Sequence, residues 1–494
     1  MSLTAVLIDT VSIQQYIFSS NKLKTNIGAS YIVKSIYDKR NLIDLLQTLG
    51  TGNDNWDNNP DNIQITANNS IFWEIGYIGG GNALIFFKDK EIANKFIKEY
   101  TKQLLIKYPG LNTAFGIKEN FDINNFQQEI KALHFSLQQN KNKYFPRTTL
   151  EKFGFTLECK ESNESAELWD NTMKEYISTV LKTKLAAEEQ ATEELNNKYK
   201  SILNGLEFPK NFENISPEVE QSYIAVVHVD GNSMGKRFEA CTNLTEIRKL
   251  SKSVAEATDN AFKNTLQILV ENIVKNDDLL ITLGIKLKDK YVPFRPIVIG
   301  GDDITFVCHG KLGIFLAKTF INEFNKQQVS DNQSLSACGG VAIVKTKFPF
   351  FKAYQLAEEL TKSAKDKSRN IVNSSYIEFH ISSGGFSGSW DEIKANYYDA
   401  VEGNAHFGPY RVDSDNYDNS LKKLENKIEE LSKKPKNKVL KFREVILRSS
   451  DEIEMFKKEN DELSNYIRIW ENRETIFFDA IEVMDFYQPE LFKI

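Results

Sequence analysis

Three aspartates in the second half of the chain have the residue type and the setting for metal-assisted phosphoryl chemistry. Asp302 and Asp303 follow two glycines, Gly300 and Gly301, and this tetrapeptide stands between two apolar runs. Asp230 ends another apolar run upstream. Hard divalent cations take carboxylate oxygens, and magnesium usually binds one or two carboxylates together with substrate phosphates. We therefore expect the three aspartates to be catalytic and to hold two Mg²⁺ or Mn²⁺ ions that act on a nucleoside triphosphate.

The glycine-aspartate tetrapeptide alone is weak evidence, because such turns are common in hairpins and an ordinary solvated turn is the alternative. Its setting favours a site. A strand is predicted on each side, and Asp230 ends the strand that a ferredoxin-like sheet places beside the hairpin. Clustered acids repel one another unless a cation neutralises them, so a pure scaffold would not need three of them.

Two further groups of residues are candidates for phosphate binding. Lys365, near the end of a predicted helix, is expected to neutralise a triphosphate, although pairing with the helix C-terminus explains it equally well. The segment after Asp230 is glycine-rich and leads toward a helix, so its backbone N–H groups are expected to face phosphates. A simple strand-to-helix turn is the alternative there. This segment consists of Gly231, Asn232, Ser233, Met234 and Gly235.

The predicted elements of the second half place these residues on one sheet. Apolar runs and helical spacing predict strand, helices, hairpin, helix, strand and helix, in the order of a ferredoxin-like palm. The predicted ranges are a strand at 223–230, helices at 245–276, strands at 296–299 and 304–308, a helix at 311–326, a strand at 335–344, a helix at 350–367 and an edge strand at 376–380.

The first half repeats the same order of elements. A strand is predicted at 4–9, helices at 12–46, a loop at 56–69, a hairpin at 72–87, a helix at 90–107 and a strand at 111–117. The hairpin turn carries Gly80, Gly81 and Asn82 where the second half has its two acids. We therefore expect the first palm to be catalytically silent.

The predicted fold class is α+β, with two ferredoxin-like palm domains (the nucleotidyl cyclase fold) and helical inter-palm and C-terminal regions. Two unrelated α/β domains that look alike by chance are the alternative. The stretch 172–206 between the palms is strongly helical by propensity. The predicted domains are a degenerate palm 1 at 1–120, a mainly helical inter-palm region at 121–221, palm 2 at 222–385 and a C-terminal helical domain at 386–494.

Composition excludes several classes of protein. The 494 residues carry a net charge of -6, so the chain does not coat nucleic acid by bulk charge. Its four cysteines form no C-x-x-C pair, which argues against a zinc ribbon. No apolar run of about 18 residues and no signal peptide is present, so we expect a cytoplasmic protein without membrane contact.

Taken together, these motifs resemble the Cas10/Cmr2 family, the large subunit of type III CRISPR effector complexes. The resemblance touches most of residues 1–385. In the second half it rests on the D-G-x-x-M-G turn within 229–236, the GGDD hairpin at 294–303, the late helix at 357–365 and the strand at 378–380. In the first half it rests on residues 12–18 and 28–31.

The resemblance implies that ATP is joined into cyclic oligoadenylates, the second messengers of antiviral defence. It also implies that two nucleotides bind between the palms, with Ser30 and the turn Gly80, Gly81 and Asn82 near the acceptor nucleotide, and Gly300 and Gly301 at the other turn. Guide and target RNA and other CRISPR effector subunits are the implied partners. The choice of adenine comes from the resemblance alone.

The chain departs from the family in two respects. None of its five histidines is followed by aspartate, so no HD nuclease is expected, and paired cysteines for zinc are absent. An HD-less subunit of a complex and a standalone enzyme both remain open. A quiet nucleotide-binding or scaffold module is the main alternative to an enzyme. A GGDEF-like dinucleotide cyclase is a third reading, although Asp303 and Ile304 stand where that signature has Glu and Phe.

Overall fold

A computed structural model of the chain describes residues 3–143, 153–218, 222–382, 388–460, 462–463, 466 and 469–494. The first half forms a five-stranded sheet in the order β2-β3-β4-β1-β5, with helices packed against it. Its elements are β1 (Leu3–Val11), α1 (Ile13–Phe18), α2 (Leu23–Ser35), α3 (Asp44–Gln47), β2 (Gly52–Asn53), β3 (Trp73–Gly79), β4 (Asn82–Phe87), α4 (Lys90–Lys107) and β5 (Asn112–Phe121).

Next in the chain come a helix, a small hairpin and two further helices. They are α5 (Phe126–Lys141), β6 (Leu168–Asp170), β7 (Glu175–Ile177), α6 (Thr179–Lys198) and α7 (Lys200–Leu203). The hairpin corrects the prediction of a helix from residue 172. Trp169 and Tyr176 are paired across β6 and β7. Aromatic residues are enriched in strands, whereas the strong helix formers of this stretch begin only after β7.

The second half forms a six-stranded sheet in the order β15-β12-β11-β8-β10-β9. Its main elements are β8 (Tyr223–Gly231), α8 (Met234–Ala240), α9 (Leu244–Ile268), α10 (Asp277–Leu283), β9 (Phe294–Gly300), β10 (Asp303–His309), α11 (Gly313–Asn325), β11 (Ala337–Lys345), α12 (Phe350–Ser368) and β12 (Tyr376–Ser382). An edge strand was predicted at 376–380, but β15 (Tyr410–Arg411) pairs with the outer side of β12, so β12 is an inner strand of the sheet.

The C-terminal part is mainly helical. It contains α13 (Trp390–Ile393), β13 (Asp399–Ala400), β14 (Gly403–Asn404), β15 (Tyr410–Arg411), α14 (Leu421–Ser432), α15 (Lys436–Ile446), α16 (Ser450–Lys458) and α17 (Ile476–Val483). None of the helices within the described ranges is both long enough and apolar enough to cross a membrane. The α+β fold with two palm-like sheets is therefore confirmed.

Local sequence explains where the helices of the palms begin. The side chain of Asp89 accepts a hydrogen bond from the Ile92 N–H at the start of α4, and Asn243 does the same for Glu246 at the start of α9. Such capping supplies an acceptor for N–H groups that the helix itself leaves unpaired. The long helical region predicted at 12–46 is instead divided, since residues 19–22 separate α1 from α2.

Helix α5 completes the first palm. Gly116 of β5 lies so close to α5 that a Cβ atom there would come within 2.8 Å of the Leu133 carbonyl oxygen. Gly340 of β11 lies still closer to α12, since a Cβ atom there would come within 2.1 Å of the Ala357 carbonyl oxygen. Because α5 packs on its sheet as α12 does, we propose that the first palm ends after Lys141 rather than at residue 120.

The two palms are joined by a buried ion pair. Arg248 of α9 donates hydrogen bonds to Glu74 of β3 at 2.8 Å and to the carbonyl oxygens of Ile75 and Gly76 at 2.5 and 2.9 Å. Both charged side chains are fully buried. Every one of these contacts crosses from the second palm to β3, the strand that leads into the first glycine turn.

Candidate active site

The three aspartates converge at the hairpin between β9 and β10. Asp303 is paired with Asp230 in the register of β10 and β8, so both side chains leave the sheet on the same face. The Gly231 N–H donates to the Asp302 carbonyl oxygen at 3.0 Å, which holds the turn against the end of β8. The Asp302 side chain lies over the end of β8, where a Cβ at Gly231 would come within 3.2 Å of Asp302 Oδ2. The spatial convergence expected from the sequence is thus present.

The environment of the two turn acids opposes ionisation. Burial, followed by the charges of Asp302 and Asp230, raises the pKa of Asp303 to about 8. Burial and the charge of Asp230 also raise the pKa of Asp302. Like charges held together away from water favour the protonated form, and a bound cation reverses that preference. The site is thus costly to ionise unless a positive charge is present.

Lys365 supplies one positive charge to this cluster. Its Nζ lies 2.5 Å from Asp230 Oδ2 and donates to the Gly231 carbonyl oxygen at 3.1 Å. The residue sits on the last turn of α12, which crosses the face of β8 and β11. The prediction that Lys365 lies beside the acids agrees with this geometry, and its contact is with a carboxylate.

The segment after Asp230 has a mostly structural environment. The Asn232 side-chain amide donates to Ser336 Oγ and to the Ser374 carbonyl oxygen, at 3.1 and 2.9 Å. Met234 is buried in the hydrophobic core. Ser233 adopts a left-handed backbone conformation before α8, and Gly235 has open space where a Cβ would lie. Phosphate binding by this segment therefore remains a prediction for backbone N–H groups, not for the side chains of Asn232 or Met234.

A cavity of about 480 Å³ lies between the palms. Its size is in the usual range for small-molecule sites. The two glycine turns approach one another at one end, where a Cβ at Gly301 would lie 3.8 Å from the Gly80 Cα atom. The predicted residues that line this cavity are Ser30, Gly80, Gly81, Gly300, Gly301 and Asp303.

The other predicted residues lie outside the cavity wall. Asp230, Asp302 and Lys365 do not line it, and Asn82 lines a separate cavity of the first palm together with Asp9 and Lys141. Sequence reasoning missed Arg295 and the wall formed by α6. A charged residue beside an apolar strand run was the only local sign that Arg295 has a special position. Nothing in the sequence of α6 indicates that this helix lines a cavity.

The first palm contains a partial copy of the same arrangement. Asp9 of β1 is paired with Asn82 in register, just as Asp230 is paired with Asp303. Lys141 of α5 forms an ion pair with Asp9. No acid stands at the turn itself, because Gly80 and Gly81 occupy it. The Asp–Lys pair occurs in both palms, whereas the two turn acids occur in the second alone.

The carboxylates of Asp230, Asp302 and Asp303 suit hard divalent cations, although they do not form a complete coordination sphere. Among the described residues, no group of three or more His, Cys, Asp and Glu side chains has the geometry of a metal site. Magnesium usually keeps several waters and binds one or two carboxylates with substrate phosphates, so such a cage is not required. The paired carboxylates of Asp230 and Asp303 meet that weaker requirement.

Comparisons with known proteins agree with this architecture. Residues 223–373 match the family model of the Cas10/Cmr2 second palm domain. Csm1 in T. onnurineus is similar over 98% of this chain and 69% of its own, with a TM-score of 0.52 and 15% identity. The Csm1-Csm4 cassette in complex with one ATP covers 98% and 70%, with a TM-score of 0.52 and 14% identity. The cassette in complex with pppApA covers 98% and 69%, with a TM-score of 0.51 and 14% identity.

At these identities the structural likeness concerns the fold. A comparison with curated proteins gave no match. The resemblance drawn from the sequence motifs is nevertheless confirmed, since residues 223–373 match the model of the Cas10/Cmr2 second palm domain and the fold of the described chain is similar to that of Csm1.

Proposed function

We propose that the protein is a nucleotidyltransferase that joins ATP into cyclic oligoadenylates as a second messenger of antiviral defence. The observation that carries the proposal is the position of Asp303. It stands in register with Asp230 and at the same time lines the cavity between the palms. A nucleotide in that cavity would therefore meet the Asp303 carboxylate directly.

The proposed reaction forms one phosphodiester bond and releases pyrophosphate at each step. A ribose hydroxyl of one nucleotide attacks the α-phosphorus of the other, its proton passes to solvent, and the bond between the α-phosphorus and the pyrophosphate breaks. Bound Mg²⁺ or Mn²⁺ ions supply activation of the hydroxyl and neutralisation of the leaving group. Asp230, Asp302 and Asp303 are the residues that would hold them.

The chain's own residues contribute orientation. In this proposal two nucleotides approach one another at the two glycine turns, with Ser30, Gly80 and Gly81 on the first palm and Gly300 and Gly301 on the second, all of which line the cavity. Asn82 lies at the edge of the first turn. Lys365 would exchange part of its contact with Asp230 for a phosphate oxygen, which its flexible side chain permits. Holding reactants in place in this way is a large part of catalysis by such sites.

Solved relatives supply the identity of the nucleotide. The Csm1-Csm4 cassette has been solved with one ATP and with pppApA. We carry ATP over to this chain as the proposed substrate on that basis. We also propose partners of the same kind, namely other CRISPR effector subunits and guide or target RNA.

A quiet nucleotide-binding or scaffold subunit is the second candidate. It is favoured by the ion pair that already holds Asp230 to Lys365. The solved relatives in cassettes with Csm4 also point to assembly. In this reading the cavity binds a nucleotide without turnover.

Product analysis separates the two candidates. The full chain is incubated with labelled ATP and Mg²⁺ or Mn²⁺, with and without RNA, and the products are identified by mass spectrometry. Pyrophosphate and an oligonucleotide product are expected for the enzyme. Turnover without RNA or partners indicates a standalone enzyme, and turnover that needs them indicates a complex subunit. Binding of ATP with no product under any of these conditions supports the quiet subunit.

A further inference from the structure

One cation in the wall of the cavity between the palms is both exposed and unpaired within the described part of the chain. The cations of this wall are Lys34, Lys198 and Arg295. Lys198 forms an ion pair with Asp259, and Arg295 is buried, whereas Lys34 is exposed. No described residue forms an ion pair with the Lys34 ammonium or accepts a hydrogen bond from it. Lys34 is therefore free to bind an anion that enters the cavity.

The fold places Lys34 beside the first glycine turn. Lys34 lies in the last turn of α2, and the Tyr37 N–H donates to its carbonyl oxygen at 3.2 Å. The Tyr37 hydroxyl in turn donates to the Gly81 carbonyl oxygen at 2.7 Å. The preceding residue, Val33, would lie 4.0 Å from a Cβ at Gly81. Because its neighbours on both sides reach this turn, the flexible stem of Lys34 can bring the ammonium to a phosphate bound there.

The two nucleotides of the proposed reaction differ in what happens to their triphosphates. The donor nucleotide loses pyrophosphate, so its phosphates belong beside Asp302, Asp303 and the cations that these acids would hold. The acceptor nucleotide loses only a hydroxyl proton, and its triphosphate stays intact. At the first turn, Gly80 and Gly81 supply no carboxylate that could hold a cation. An acceptor triphosphate beside this turn would therefore need a positive charge from the protein itself.

The lysine of α5 in the first palm is less suited to that task. Lys141 forms an ion pair with Asp9 and lines a cavity separate from the one between the palms. A triphosphate bound there would meet the Asp9 carboxylate, and like charges repel. In the cavity between the palms, the acid that α6 contributes is Glu194, which accepts a hydrogen bond from the Tyr31 hydroxyl at 2.6 Å and forms no ion pair with Lys34. The charges thus favour Lys34.

We propose that Lys34 binds the triphosphate of the acceptor nucleotide beside the first glycine turn, without a metal ion. The inference rests on the proposed function and adds a second phosphate subsite to it. Hydrogen bonds between charged partners are short and strong, and an ammonium offers three donors to phosphate oxygens. Lys34 also interacts favourably with the C-terminus of α2, as any lysine in a last helical turn does, but that effect does not depend on a nucleotide.

Isothermal titration calorimetry of the full chain in EDTA isolates this subsite. Without a metal ion, nothing offsets the carboxylates of the second palm, so a triphosphate is disfavoured there, whereas the Lys34 subsite stays intact. The ligands are AMPCPP, the α,β-methylene analogue of ATP, and AMP, which share base and ribose and differ in their phosphates. The hydrogen bond to Lys34 is expected to make AMPCPP bind about tenfold more tightly than AMP. Equal binding of the two, weaker binding of AMPCPP or binding of neither overturns the inference.

Lys34→Gln removes the ammonium and keeps a flexible polar side chain. The preference for AMPCPP over AMP is expected to fall about tenfold in this variant, with the Kd of AMP nearly unchanged. Lys141→Gln is the matched control, because it makes the same chemical change in the first palm but outside the cavity between the palms. It is expected to keep the wild-type preference. An unchanged preference in Lys34→Gln, or a fall in Lys141→Gln, overturns the inference.

Product formation keeps this inference apart from the proposed function. A preference for AMPCPP that Lys34→Gln abolishes, with no oligonucleotide product from ATP and Mg²⁺, supports the phosphate subsite and contradicts the enzyme. Product formation without such a preference supports the enzyme and overturns the subsite. Melting temperatures establish that each variant is folded, which the exposed position of Lys34 favours.

Discussion

The two palms have equivalent backbone positions around their hairpin turns, but different side chains occupy these positions. Asp9 and Asp230 stand at the same register point of their sheets, and each is paired with a lysine from the helix that crosses it. The hairpin turn carries Gly81 in the first palm and Asp302 in the second. The Asp–Lys pair is therefore a feature of the fold, and the turn acids distinguish the proposed catalytic palm.

Removing the turn acids is the largest expected effect. Asp302→Asn combined with Asp303→Asn takes away the carboxylates that would hold cations, and we expect product formation to fall by at least about 10²–10³-fold. Pyrophosphate release under saturating ATP and Mg²⁺ measures it. Asp9→Asn in the first palm is the matched control and should stay near the wild-type rate. A similar loss in both would mean that the palms share the chemistry.

Breaking the buried ion pair between the palms is expected to lower the free energy of unfolding. Arg248→Met leaves Glu74 as a buried, uncompensated charge, so we expect a loss of about 3–5 kcal/mol in the free energy of unfolding. Urea denaturation followed by circular dichroism measures it. The double variant with Glu74→Gln should recover part of that loss, because both charges are then gone while the amide oxygen can still accept from the Gln64 and Ile65 N–H groups. A loss of less than about 1 kcal/mol would show that the palms do not depend on this pair.

The two lysines should differ in function while resembling one another in structure. Lys365→Gln removes a cation beside the proposed triphosphate, and we expect kcat/KM for ATP to fall by about tenfold or more. Lys141→Gln removes its counterpart and should change kcat/KM little. Both should lower stability by no more than about 1 kcal/mol, since each pair is partly exposed. An equal fall of kcat/KM in the Lys365→Gln and Lys141→Gln variants would contradict the proposal that only the second palm is catalytic.

A pH dependence of stability that belongs to the second palm is also expected. The raised pKa values of Asp302 and Asp303 mean that the folded, metal-free protein holds protons more tightly than the unfolded chain. Their contribution is full near pH 4 and is lost as pH rises toward about 8. The Tm in EDTA should therefore fall more steeply over this window in the wild type than in the double Asn variant. If Tm fell equally steeply with pH in the wild type and in the double Asn variant, the raised pKa values of Asp302 and Asp303 would be contradicted.

Much of the fold could be predicted because its signals are local. Apolar runs on both sides of Gly79–Asn82 and Gly300–Asp303 predicted the two hairpins, and the acid at the end of β8 was correctly expected beside the second turn. Helix α4 was predicted with its observed bounds, since a capping Asp89 precedes regular apolar spacing.

What could not be predicted depends on contacts between distant segments. Lys141 has no local feature that links it to Asp9, and Arg295 becomes notable only when α6 packs over β9. Summed helix propensity over 172–206 concealed the β6–β7 hairpin, whose stability comes from a small core around Cys159, Ile177 and Leu181. Such cases are settled by packing rather than by composition.

The two glycines in the first turn affect how easily this palm could acquire turn acids of its own. Gly80 and Gly81 both have positive φ angles, at 59° and 77°, whereas in the second turn Gly301 alone does, at 51°. A Cβ at Gly81 would also lie 2.5 Å from the Ile13 side chain. An aspartate there would be strained in a way that Asp302 is not. Acids placed at Gly81 and Asn82 would therefore occupy a less favourable turn than Asp302 and Asp303 do, and the asymmetry between the halves extends to the backbone of the two turns.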